Sequence, residues 1–118
     1  MKHTTVTIYH NPRCSKSRQT LALLENQGIT PEIVLYLDTP PDAILLQNLL
    51  NKLNMSARDL LRRGEDAYKN LLLNDISLTD EDLILAMAQN PSLIERPIVV
   101  CGEKAALGRP PERVLSIL

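Results

Sequence analysis

The residues most able to do chemistry lie in one short segment, His10 to Arg18, with the sequence His-Asn-Pro-Arg-Cys-Ser-Lys-Ser-Arg. Its cysteine, Cys14, falls in a turn between a predicted strand and a predicted helix. The free N–H groups and the positive dipole end of a helix N-terminus favour a thiolate over a thiol. Arg13, Lys16 and Arg18 lie within four residues of Cys14, and no acidic residue does. We therefore predict that Cys14 is a nucleophile with a lowered pKa, and that Arg18 and the helix N–H groups can hold an oxyanion beside it.

The second cysteine, Cys101, has different surroundings. Most free cysteines are small buried apolar residues, and Cys101, which ends the apolar run Ile98–Val100, is expected to be a core or strand-end residue of this kind. For Cys14 the cationic turn at a strand-to-helix junction favours the nucleophile. Asn11 stands where a Cys-x-x-Cys motif would have its first cysteine, so a vicinal disulfide is excluded. Redox turnover would need an outside thiol, most simply glutathione with glutaredoxin, or else Cys101.

Composition limits the class of protein. The 118 residues, 44% hydrophobic and 23% charged, predict a single domain over residues 1–118. A net charge of -1 argues against binding to nucleic acid or to an anionic membrane, and no apolar run approaches the roughly 20 residues that span a bilayer. Two cysteines make no disulfide framework, so a cytoplasmic, reducing location is expected. The cysteines and the two histidines are placed apart, so no metal site is predicted. No bound cofactor is expected.

The elements that must position Cys14 can be read from hydrophobic periodicity and turn residues. The N-terminal part predicts a strand over Thr5–Tyr9, a helix over Ser15–Gln27 that Gly28 ends, and a strand over Glu32–Leu37. We expect Ser17, Leu21 and Leu24 to share the core face of that helix. The unbroken apolar run from Ile33 to Leu37 is typical of a strand buried on both faces, which would place it at the centre of the sheet.

Helices are predicted for the middle of the chain and a hairpin for its end. Thr39 is expected to cap the first of these helices with Pro40 at its first position, and Thr79 to cap the last, which Asn90-Pro91 ends. Between them lie two short helices, from Ser56 to Gly64 and over Ala67–Leu72. Strands over Pro97–Cys101 and Lys104–Leu107 then form a hairpin, followed by a helix with Val114, Leu115 and Leu118 as its apolar side. The order β-α-β, helical insert, β-β-α predicts an α/β fold of the thioredoxin type.

Several motifs follow one another from Thr5 to Leu118: His10-x3-Cys14-x3-Arg18, Tyr36-Leu37-Asp38-Thr39-Pro40-Pro41, Leu60-Leu61-Arg62, Glu95-Arg96-Pro97-Ile98-Val99-Val100 and Gly108-Arg109-Pro110. Each is weak alone, but in this order and at these separations they are specific. Together they resemble the glutaredoxin-linked arsenate reductase family. The resemblance implies a thioredoxin-like fold, a cysteine that attacks arsenate, and turnover that depends on glutathione as reductant and on glutaredoxin.

Carried over residue by residue, the resemblance implies that Cys14 is the nucleophile and that His10 tunes it. It also implies that Arg62, Arg96 and Arg109 bind and orient the oxyanion, and that the bond between Arg96 and its proline is cis. The chemistry agrees, because a tetrahedral dianion is bound well by several planar, permanently charged guanidinium groups. On residue type alone, a single arginine is more often a solvated surface charge than a site residue. His10 could equally be a turn histidine that only hydrogen-bonds the backbone.

Three other functions remain open on the same residues. A glutathione-dependent thiol oxidoreductase without arsenate activity would need Cys14 but would tolerate loss of Arg62 or Arg109. A regulator of the related Spx type would share the fold and bind RNA polymerase, but those proteins usually carry Cys-x-x-Cys where this chain has Asn11. A phosphatase-like enzyme would need a longer Cys-x5-Arg cradle than the Cys-x3-Arg present here. Arsenate reduction is therefore the leading hypothesis.

Overall fold

The computed structural model describes residues 5–118 and divides the chain into two compact units. The first unit ends at Thr39 and resumes at Arg96, and the second runs from Pro40 to Glu95. The first unit therefore contains the β-α-β and β-β-α segments, and the second contains the helical insert. That residues 1–118 form a single domain stays a prediction.

The first unit is built on a four-stranded mixed sheet in the order β2-β1-β3-β4. Strand β1 pairs in parallel with β2 and antiparallel with β3, and β3 and β4 form the predicted hairpin. The predicted α/β class and thioredoxin-like element order are confirmed. Its elements are β1 (Val6–Tyr9), α1 (Ser15–Asn26), β2 (Glu32–Val34), β3 (Ile98–Cys101), β4 (Lys104–Leu107) and a 3₁₀ helix (Pro111–Ile117).

One core cluster of this unit lies on a single face of the sheet. Val6 and Ile8 alternate with half-exposed residues along β1, so they point to the same face. They pack in one cluster with Leu24 of α1, Val99 of β3 and Val114 of the C-terminal 3₁₀ helix. Helix α1 ends as predicted, because Gly28 takes a φ of 78° that side chains disfavour. The sheet and α1 together hold the turn that carries Cys14.

The prediction of a central strand over Glu32–Leu37 is wrong. Strand β2 has only three residues, lies at the edge of the sheet and leaves Ile33 47% exposed. The chain turns directly afterwards, because the Leu35 carbonyl accepts hydrogen bonds from the backbone N–H groups of Asp38 (2.9 Å) and Thr39 (3.0 Å). Tyr36, only 1% exposed, is the residue of this run that is buried. The apolar run is therefore a short edge strand followed by a turn.

The C-terminal helix also differs from the prediction. Residues Pro111–Ile117 form a 3₁₀ helix rather than an α-helix, and Leu115 and Leu118 are 41% and 44% exposed. A 3₁₀ helix has three residues per turn, so its buried side repeats every third residue. Pro111, Val114 and Ile117 follow that spacing, and Val114 is fully buried.

The second unit is helical, as predicted. Its core consists of leucine, isoleucine and methionine side chains, among them Leu46, Leu49, Leu60, Leu83 and Met87. An isolated β-bridge between Leu61 and Ile94 lies beside these helices. The elements are α2 (Ala43–Leu53), α3 (Ala57–Leu60), α4 (Asp66–Asn70), α5 (Asp80–Gln89) and a 3₁₀ turn (Pro91–Leu93). None of the helices within residues 5–118 is long and apolar enough to cross a membrane.

Capping residues decide where these helices begin. At α5 the prediction is confirmed, because Thr79 and Asp82 form a reciprocal capping box. At α2 it is wrong: Asp42 is the cap and accepts a 2.8 Å hydrogen bond from the Leu45 N–H. The Thr39 hydroxyl donates instead to the Leu35 carbonyl, within the turn after β2.

Helix α3 ends at Leu60, before the predicted Gly64, because Leu61 forms the β-bridge with Ile94.

Candidate active site

Cys14 occupies the N-cap position of α1, at the end of the turn that follows β1. The turn is closed by a 3.0 Å hydrogen bond from the Cys14 N–H to the Asn11 carbonyl, and the Cys14 carbonyl accepts from the Arg18 N–H at 3.0 Å. The Cys14 side chain is 8% exposed. A side chain at an N-cap faces the free N–H groups of the first helical turn. The sulfur therefore lies where the backbone itself favours a negative charge.

Opposing effects act on the Cys14 thiol, and their sum lowers its pKa. Burial is the largest effect and raises the pKa. The backbone N–H groups of Ser17 and Lys16 lower it, as does the Arg96 guanidinium, both through its charge and as a hydrogen-bond donor to the sulfur. Together these stabilising contacts outweigh burial. The helix terminus acts as the sequence predicts, whereas the principal charge comes from an arginine distant in sequence.

Two arginines from separate loops reach the sulfur. Arg96 lies before β3, and Arg109 lies in the loop that follows β4. The Arg109 Nη1 is 4.0 Å from the Cys14 Sγ and donates a 3.3 Å hydrogen bond to the Arg96 carbonyl. The peptide bonds to Pro97 and Pro110, which follow these arginines, are both cis, as the resemblance implied for the first of them.

Gly108 allows the Arg109 loop to approach so closely. Its N–H donates to the Pro97 carbonyl at 3.0 Å, and its carbonyl accepts from the Thr20 hydroxyl of α1 at 3.4 Å. A Cβ at this position would lie 2.8 Å from the Pro97 Cγ and would overlap the Thr20 side chain. A glycine is therefore required for the loop, the helix and the proline step to meet here.

His10 is linked to Ser17, which the sequence placed on the core face of α1 and not in the candidate site. The His10 Nδ1 lies 2.6 Å from the Ser17 Oγ, which also accepts a 3.0 Å hydrogen bond from the Asn11 N–H. Burial, and then the charge of Arg18, lower the pKa of His10, so the neutral ring is favoured. Since the Ser17 Oγ accepts from Asn11, its proton can be donated to the neutral Nδ1. Ser17 is fully buried, and its own N–H is one of the groups that lower the pKa of Cys14.

The sequence contains a signal that could have identified Ser17. It lies three residues after Cys14, on the first turn of α1, and its hydroxyl falls on the face assigned to the core. A hydroxyl on a buried helix face needs a hydrogen-bond partner, and the turn residues are the nearest candidates. The pairing with His10 in particular required the tertiary structure.

The remaining predicted site residues have the following places. The exposed Arg18 donates from its Nη1 to the Pro12 carbonyl at 2.9 Å. Arg62 belongs to the second unit, where its Nη2 forms a 3.2 Å ion pair with Glu65 and its Nη1 donates to the Ser92 carbonyl at 3.3 Å. Their roles in binding an oxyanion stay predictions. Cys101 is half-buried at the end of β3, the strand-end position expected for it.

The arrangement around Cys14 is suited to attack on a small oxyanion. A thiolate at this helix N-terminus would be the nucleophile, and the N–H groups and two guanidinium groups beside it offer hydrogen bonds and positive charge. Within residues 5–118, no group of three or more histidine, cysteine or acidic side chains is placed to hold a metal ion.

Comparisons with known proteins show which family this chain resembles over its length. The model of the ArsC family matches residues 9–117. The arsenate reductase of Neisseria meningitidis serogroup A is 50% identical over 114 residues, which cover 96% of this chain and 97% of that protein. The uncharacterized protein YfgD of Escherichia coli K12 is 61% identical over 96% of both chains. The structure of the arsenate reductase from Vibrio cholerae superposes with a TM-score of 0.96 at 53% identity, covering 99% of this chain and 100% of that one.

Proposed function

Because the chain belongs to the ArsC family, we propose that it reduces arsenate to arsenite with Cys14 as the nucleophile and with glutathione and glutaredoxin as the source of electrons. The observation that carries the proposal is the Cys14 sulfur at the N-terminus of α1, with the Arg96 and Arg109 side chains against it. These groups favour the thiolate and would bind the oxygens of an anion that approaches it.

The first step forms a bond between the Cys14 sulfur and arsenic. One arsenate oxygen takes up two protons and leaves as water, and the Cys14 thioester of arsenic(V) remains. Arg96 and Arg109 neutralise the negative oxygens during this attack, which lowers its barrier because the charge is bound in a preformed site. A role for Arg62 in binding the anion stays a prediction from the resemblance. At this stage arsenic has not yet been reduced.

Reduction requires two thiols from outside the chain. Glutathione thiol replaces a second oxygen on arsenic, which again leaves as water. Glutaredoxin thiolate then attacks the glutathione sulfur, a mixed disulfide forms, and the electron pair of the broken S–As bond stays on arsenic as arsenic(III). Water releases arsenite and returns Cys14 to the thiol. Asn11 stands where the first cysteine of a Cys-x-x-Cys pair would be, so Cys14 has no neighbouring thiol to oxidise. Thiols from outside the chain are therefore the simplest source of these two electrons. Cys14 must be a reduced thiol at the start of each cycle, so a reducing cytosol remains the expected compartment.

The proposal is tested by arsenate-dependent NADPH oxidation in the presence of glutathione, glutaredoxin and glutathione reductase. Cys14→Ser should abolish turnover and keep the fold, because a hydroxyl is nearly isosteric with a thiol at the N-cap. Cys101→Ser is the matched control and should keep full glutathione-coupled activity. Wild-type protein without arsenate turnover, but with a thiolate that still reduces glutathione mixed disulfides, would indicate a thiol oxidoreductase. Turnover retained in Cys14→Ser would remove Cys14 as the nucleophile.

A further inference from the structure

A cavity of about 360 Å³ adjoins the turn that carries Cys14. One wall is that turn, residues 10–13, and the other wall is the turn after β2, with Leu35, Leu37 and Asp38. The His10 N–H donates a 2.8 Å hydrogen bond to the Val34 carbonyl, so the two walls are joined at one end by the backbone. The second wall is held in shape by the two hydrogen bonds that the Leu35 carbonyl accepts from residues 38 and 39. All of these residues belong to the first unit.

The same hydrogen-bond pattern ties the cavity to the nucleophile. The Cys14 N–H donates to the carbonyl of Asn11, a wall residue, and Arg13 of the wall directly precedes Cys14. The Asn11 side chain in turn accepts a 3.0 Å hydrogen bond from the Arg13 N–H. A ligand seated in the cavity would therefore contact the segment that sets the position of the Cys14 sulfur.

The lining defines the chemistry of a ligand. Leu35 and Leu37, 40% and 41% exposed, present apolar surface, and exposed Arg13 and Asp38 present one positive and one negative charge. A ligand that complements both residues carries a carboxylate for Arg13 and an ammonium for Asp38. A short apolar chain would join these two charged groups to the rest of the ligand and contact the leucines. The volume lies near the lower end of the roughly 300–1,000 Å³ typical of small-molecule sites, which suits a small molecule or a short peptide.

We propose that this cavity binds the α-amino-acid end of a small zwitterionic thiol peptide, with Arg13 facing its carboxylate and Asp38 its ammonium. The thiol of the bound peptide would then extend along the turn towards Cys14. The inference rests on the proposed function, in which glutathione, a thiol peptide with such an end, attacks arsenic on Cys14. It adds a recognition site for the reductant to the arginines that are proposed to bind the oxyanion.

Binding can be measured without turnover by titrating ¹⁵N-labelled protein with S-methylglutathione, whose blocked sulfur takes no part in reduction. Shifts should concentrate in the amides of Asn11, Arg13 and residues 35–38. Arg13→Ala and Asp38→Asn should each weaken binding about threefold to tenfold, and the effect should shrink at high salt because both side chains are exposed. Arg113→Ala and Asp59→Asn, which remove exposed charges elsewhere, should bind as wild type does.

A second probe assigns the two charges separately. The analogue of S-methylglutathione that lacks the α-amino group should bind wild type and Asp38→Asn with the same Kd, while remaining sensitive to Arg13→Ala. The proposal is overturned by shifts outside the cavity walls, by an absence of binding, or by equal Kd values for wild type and both charge variants. Absence of arsenate turnover would instead contradict the proposed function, because the blocked peptide reports binding alone.

Discussion

Ser17→Ala is expected to lower both the stability of the protein and the fraction of Cys14 thiolate. The substitution removes a fully buried oxygen that accepts from the Asn11 N–H and lies 2.6 Å from the His10 Nδ1. Each buried group left without its partner costs roughly 1–3 kcal/mol, so we expect a loss of about 2–4 kcal/mol in the free energy of unfolding. For a chain of this length the melting temperature should fall on the order of 10 °C. The pKa of Cys14 should rise, because the Ser17 N–H is no longer held in place.

Urea unfolding followed by circular dichroism measures the first effect, and titration of thiolate absorbance in the ultraviolet measures the second. Ser116→Ala is the matched control: its exposed hydroxyl donates to the Arg113 carbonyl at 3.0 Å, so its removal should change stability by less than about 0.5 kcal/mol. Equal unfolding midpoints for wild type and Ser17→Ala would refute the energetic reasoning. A lower midpoint with an unchanged thiolate titration would show that Ser17 supports the fold without positioning the thiolate.

The other predictions concern the thiolate, the arginine beside it and the glycine that brings the loops together. Because folding lowers the pKa of Cys14, its thiolate stabilises the folded state above the ordinary thiol pKa, and this contribution is lost as the pH falls through the folded-state pKa. The rate of Cys14 alkylation by iodoacetamide should therefore fall at a lower pH in the folded protein than in the unfolded chain. Arg96→Lys should raise the KM for arsenate roughly tenfold, the equivalent of about 1.4 kcal/mol, since an ammonium cannot make the bidentate contacts of a guanidinium. The control is Arg113→Lys at an exposed site, and equal steady-state kinetics for the two variants would contradict this prediction. Gly108→Ala should cost about 1–3 kcal/mol of stability by calorimetry, whereas Gly64→Ala, whose added Cβ meets nothing within 4 Å, should melt as wild type does.

Local signals were sufficient for most elements of the chain. The Thr79 cap, the stop at Gly28 and the β3–β4 hairpin were predicted correctly because capping and turn residues act over a few positions. Errors arose where a local pattern had two solutions. An apolar run can form a central strand, or an edge strand followed by a buried tyrosine. The order of strands in the sheet decides between them: β2 lies at the edge, next to β1.

The sequence by itself determined the local setting of Cys14: its place at a helix entrance, the cationic residues around it and the lack of a partner cysteine in a Cys-x-x-Cys pair. These features depend on neighbours within a few residues, so they can be read from spacing. Tertiary structure decided which distant groups act on the sulfur. Arg96 and Arg109 reach Cys14 because β3 pairs with β1 and because Gly108 lets its loop pack against α1. Likewise His10 is joined to Ser17 by the fold of the turn onto the helix, since hydrogen bonds depend on distance and direction that residue order does not specify.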